Sequence, residues 1–228
     1  MTTRRVRSER GVALVIVLLV VVLLSALGLA LALLTSTDRS IAAGYEWSAE
    51  TFYAAESGIE RTLHELAAVG ASTDVLGGRV ASAFVDGAPG PRILATGLTL
   101  DLNEETDRLN CGHRGCSIDD LTRITTERPW GVNNPVWQLY AHQPMAMLAA
   151  VSIDSKAYVV VWVSDDPLET DGDPLVDGDE TTGSNPGKGI LQVRAQAYGP
   201  AGAARIIEMT IRRAAMGNRV LSWREIRR

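Results

Sequence analysis

Chemistry-bearing signatures are scarce in this chain of 228 residues. Its histidines, His64, His113 and His142, are scattered, and no nucleophile elbow, phosphate-binding loop or metal-protease helix accompanies them. These absences argue against an enzyme. Aromatic residues make up only 5% of the chain and no basic stripe runs beside them, so nucleic acid is not an expected partner. Internal repeats are lacking. There are two cysteines, Cys111 and Cys116, a count that suits an exported domain with one disulfide. No proline falls between residues 35 and 68, and no charge falls between Gly11 and Leu34.

That charge-free run is the most informative stretch. Its 24 residues would extend roughly 36 Å as a helix, enough for a hydrocarbon core of about 30 Å. Arg4, Arg5, Arg7 and Arg10 precede it, which places the N-terminus in the cytoplasm and the bulk of the chain outside. The run exceeds the apolar region of a cleaved secretory signal and lacks the small-residue cleavage pattern, so a membrane span is expected. Beyond it, Ile41, Tyr45, Ala49, Phe52, Ile59, Leu63 and Leu66 recur at helical spacing, interrupted by Glu56. One helix is predicted from about residue 12 to 68, with Gly44 a candidate bend.

The basic leader ending at Gly11, followed at once by Val12-Ala13-Leu14, resembles the class III signal of type IV pilins and pseudopilins. The segment FYAAESGIE at 52–60 carries the likeness further, to the N-terminal region of the PilX group of minor pilins, over roughly residues 8–67. A weaker likeness lies near the C-terminus, from Ala197-Tyr198-Gly199-Pro200 to Arg213. The resemblance implies a pilin-like α+β fold, a long N-terminal helix, half transmembrane and half amphipathic, packed on a C-terminal antiparallel sheet. It divides the chain into a leader (1–11), a transmembrane half-helix (12–34), an amphipathic half-helix (35–68) and an exported α+β domain (69–228). It implies cleavage by a prepilin peptidase between Gly11 and Val12, with methylation among the family's features. The location would be the bacterial inner membrane before assembly, then the pilus fibre or cell surface. The implied partners are other minor and major pilins, the inner-membrane assembly machinery and a tip adhesin.

Major pilins usually carry Phe first and Glu fifth in the mature chain, where this sequence has Val12 and Ile16. That resembles certain minor pilins and the GspK pseudopilin of type II secretion, placed at the fibre tip. An assembly-priming minor pilin at or near the tip is the leading expectation, its helix packing through Ala13, Ser25, Ala26, Gly28, Ala30 and Ala32. The alternatives are a GspK-like pseudopilin and a permanently anchored periplasmic binding protein.

In the exported domain, strands are predicted at 92–102, with Asn103-Glu104-Glu105 closing the first, and at 145–153 and 157–163. The alternating stretches 191–197 and 207–211 form a hairpin about the turn at 199–202. Residues 165–180 carry eight acids and no base, leaving the rest of the chain at about +3. Asp171, Asp173, Asp177 and Asp179 are the calcium-ligand candidates there, with Asp165, Asp166 and Glu180 beside them. The spacing does not fit an EF-hand, and a solvated loop is the competing expectation; no cofactor is otherwise implied. Cys111 and Cys116 suit a small disulfide loop, since zinc held with His113 would be one ligand short. The tail is rich in arginine and is expected as a solvated edge with Val220, Leu221 and Trp223 tucked against the sheet, or as a dock for an acidic neighbour.

Overall fold

A computed structural model of the chain describes residues 10–69, 72–148, 153–178, 187, 189–214 and 217–226. Two compact units divide it, residues 1–46 and 47–228. Helix α1 spans Arg10–Ala68. Gly44, the candidate bend, is helical within it.

The first unit contributes only helix among the described residues, and every side chain from Gly11 to Ala42 is exposed. Its apolar window has a mean hydropathy of 3.3.

In the second unit, the remainder of α1 packs on an antiparallel five-stranded meander. The strands are β3 (Gln138–Pro144), β4 (Tyr158–Asp165), β5 (Ile190–Tyr198), β6 (Ala204–Ala214) and β7 (Gly217–Ile226), hydrogen-bonded in that order. A separate two-stranded ribbon pairs β1 (Pro91–Ile93) with β2 (Thr99–Asp101). Short helices α2 (Ser72–Leu76), α3 (Leu102–Cys111) and α4 (Ile118–Thr122) fill the connections.

Small residues set the approach of α1 to the sheet. Its buried face is Thr51, Ala54, Ala55, Gly58, Ile59, Thr62 and Leu66, rotated from the expected stripe, and Tyr53 stays exposed. A Cβ on Gly58 would lie 2.6 Å from Val159 Cγ1 and 3.2 Å from Val161 Cγ2. One on Gly199, in the β5–β6 turn, would collide with Thr51 Cγ2. Leu191, Val193, Ala195, Ile207 and Ile211 complete this core.

The opposite face of the sheet holds a second core, in which Tyr158, Val160, Trp162 and Tyr198 meet Leu94, Leu100 and Leu102. Trp162 Nε1 donates to Thr106 Oγ1 of α3 at 2.9 Å. With both faces covered, every residue of β4 is buried. This explains why its sequence reads as a continuous apolar run rather than an alternation.

Three expectations change. The stretch expected as one strand at 92–102 is instead two short strands, Pro91–Ile93 and Thr99–Asp101, around a turn that the Gly97 amide closes on Leu94 O. Asn103-Glu104-Glu105 belong to α3, because Asp101 caps that helix, its side chain accepting from the Asn103 and Glu104 amides. The strand expected at 145–153 lies earlier, at Gln138–Pro144. After Pro144, residues Met145–Met147 form a 3₁₀ turn, and 149–152 are outside the described residues.

Candidate functional site

The stem is the first candidate. Ala13, Ser25, Ala26, Gly28, Ala30 and Ala32 are all exposed on α1, and a Cβ added at Gly28 would meet nothing within 4 Å. Val12 and Ile16 are also exposed, at 63% and 55%. An apolar surface so complete has no stable place in water. It suits lipid or other apolar helices, with small residues permitting close backbone approach. Gly11 and Val12, the expected cleavage pair, both lie in α1, whereas residues 1–9 are outside the described residues.

The acidic segment converges differently from the expected set. Ligand oxygens of Asp165, Glu169 and Asp177 lie within 4.8 Å of one another. Asp165 ends β4, and its Oδ1 accepts from the Asp166 amide at 2.9 Å. A turn closed by the Glu169 amide on Asp166 O brings Glu169 back. Gly187 lies against both side chains, where a Cβ would be 3.0 Å from Glu169 Cβ. Asp177 is tied by its amide to Thr73 Oγ1 and by its Oδ1 to the Gly189 amide. Asp171 and Asp173 are exposed and close local turns, accepting from the amides of Asp173 and Leu175. Asp179 and Glu180 are outside the described residues. Burial, a hydrogen bond with Glu169 and repulsion from that carboxylate push the Asp165 carboxyl far up, to about 9. Three carboxylates this close require a proton or a cation between them.

Cys111 and Cys116 form a disulfide that closes the loop after α3. His113 is exposed at that loop, and its Nδ1 meets the neighbouring Arg114 carbonyl at 2.9 Å. The loop is organised by a residue that the sequence did not single out. Arg128 is buried and donates to four carbonyl oxygens, of Leu121, Asn110, Pro135 and Asn134. Burial lowers its pKa. Nothing in the local sequence distinguishes Arg128 from a surface arginine.

A further polar cluster surrounds Asp86. Its Oδ1 accepts from Arg92 Nε at 2.9 Å and meets His142 Nδ1 at 2.8 Å, while Tyr158 OH donates to Oδ2 at 2.9 Å. Burial raises the Asp86 pKa, but these three hydrogen bonds outweigh it and leave the group lowered. Burial also lowers His142. The cluster secures residues 84–86 along β3. His142 donates its amide to Phe84 O and accepts at its carbonyl from the Asp86 amide. An adjoining pocket of about 160 Å³ is smaller than common small-molecule sites, which begin near about 300 Å³.

Of the arginine-rich tail, Gly217–Ile226 is strand β7, while Arg212 and Arg213 belong to β6. Val220, Leu221 and Trp223 are 44–47% exposed rather than tucked away. Trp223 reaches Phe52 edge-on, with ring centroids 6.2 Å apart. Arg224 donates to Glu208, which also pairs with Arg194, and Arg205 pairs with Glu225.

Residues 10–60 match the protein family described as PilX N-terminal. The matched segment contains the whole apolar stem and the part of α1 that carries Thr51, Ala55 and Gly58 against the sheet. No curated protein and no solved structure matches the chain.

Proposed function

We propose, from a PilX-type N-terminal region joined to an α+β domain, that this chain is a minor pilin that primes type IV pilus assembly at or near the fibre tip. The observation that carries the reading is the stem, exposed over its full apolar length within a helix whose later residues pack on a sheet. Its role is structural and not enzymatic. In the membrane the stem is surrounded by lipid, and in a fibre by the stems of other pilins. Transfer between those surroundings gains little hydrophobic free energy, so close packing at small residues decides it. Ile16 supports a position with no subunit ahead. A carboxylate there would need a partner in an apolar surrounding, and an isoleucine needs none.

Processing tests the reading. Expressed with a prepilin peptidase, the protein should gain a new terminus at Val12, read by mass and N-terminal sequencing. Expressed without it, the chain should keep residues 1–11. A terminus at residue 1 or 2 in both cases would make the chain a permanent anchor and overturn the assignment.

The calcium reading of the acidic segment is a separate proposal, favoured by the convergence of Asp165, Glu169 and Asp177. Thermal unfolding in millimolar calcium against chelator tests it, and equal melting temperatures would remove calcium.

A further inference from the structure

The two edges of the five-stranded sheet are treated differently. On β3, residues 84–86 run alongside and form a parallel bridge at Val85–His142. On β7, among the described residues, no strand or backbone segment pairs with the outer edge. Residues 219–224 are all exposed, so a row of peptide groups and apolar side chains stands open there. Leu221 is the extra residue of a bulge, between the pairs Thr210–Ser222 and Ile211–Val220.

Charge marks the same place. Arg212 of β6 and Arg219 of β7 are direct cross-strand partners, and both are exposed. Like charges directly opposite destabilise a sheet. Among the described residues neither guanidinium meets a carboxylate, although Arg224, four pairs further on, is satisfied by its partner Glu208. A matched pair of cations beside an open strand is what an anionic extended chain would complete.

We propose that β7 is a docking edge for an extended acidic segment of a different protein chain. The segment adds as a sixth strand, with a carboxylate between Arg212 and Arg219 and apolar residues against Val220, Leu221 and Trp223. Backbone pairing supplies the binding, and the arginines choose the partner. A second copy of β7 is disfavoured, since it would bring Arg219 and Arg224 toward their own kind. The inference goes beyond the pilin reading and does not depend on it.

The test places a photo-crosslinking amino acid at Leu221 of the full chain in its host cell, with Ile93, exposed in the separate β1–β2 ribbon, as control. Position 221 should crosslink to an acidic, extended peptide of another protein, identified by mass spectrometry. The double change Arg212→Glu with Arg219→Glu should lower that yield by about fivefold, the upper end of what one exposed charge pair contributes. Arg212→Lys with Arg219→Lys should keep it. Since the glutamates face each other as the arginines did, unchanged melting of the double variant checks that folding is intact. No crosslink above the Ile93 control, a crosslink to a second copy or to a helical or basic segment, or a yield unmoved by charge reversal would each overturn the proposal. An uncut leader together with the expected crosslink would remove the pilin reading and leave this one standing.

Discussion

At the scale of single residues, Asp165 gives an unusual pH dependence. Its carboxyl is raised in the folded chain, so the folded state keeps a proton that the unfolded state releases. The window runs from roughly 4, where a free aspartate titrates, to about 9. Within it, stability through this group falls as pH rises, the reverse of an ion-paired aspartate. Asp165→Asn should therefore raise the melting temperature at pH 8, leave it unchanged near pH 4 and flatten the profile between. If calcium occupies the cluster, the wild-type chain gains stability on adding it, and Asp165→Asn loses that gain. The double change Asp171→Asn with Asp173→Asn should retain the gain, because those carboxylates are occupied with local turns. A gain lost only in the double variant would return the site to the exposed loop.

At the scale of elements, the contact between α1 and the sheet is set by Gly58. Gly58→Ala gains about 1 kcal/mol of helix propensity, but its methyl meets the stiff Val159 side chain. Overpacking typically costs about 1–3 kcal/mol, so the net expectation is a loss, seen as a melting temperature lower by several degrees. A temperature equal to or above wild type would mean that the sheet yields easily there. The length of α1 and the β5–β6 hairpin were legible in the sequence, because helical spacing and strict alternation are local signals. The buried face of α1 was not, since Thr51, Ala55, Gly58 and Thr62 have little hydrophobicity and are buried for their small size. The first strand of the sheet was misplaced because β3 mixes polar and apolar residues, with His142 and Gln143 buried in it. Of the acidic segment, its charge was visible but its convergence was not. Asp165 and Glu169 meet through a turn, and Asp177 reaches them through its bonds to Thr73 and Gly189.

At the scale of the whole molecule, the stem and the sheet domain separate into tasks that can be measured independently. Gly28→Ile adds bulk where the isolated chain has open space. The melting of the sheet domain should not move, while incorporation into fibres, followed by immunogold labelling or fibre yield, should fall. Normal incorporation would show that Gly28 does not lie in a helix–helix contact. The bridge along β3 has its own consequence for stoichiometry. A sheet open at both edges can pass strand pairing from one molecule to the next without limit. Here residues 84–86 take up the edge of β3 around His142, so a chain added at β7 would find the opposite edge interrupted and not free along its length. On the docking proposed for β7, the expected association is therefore one to one, a junction between two unlike chains and not a repeating unit.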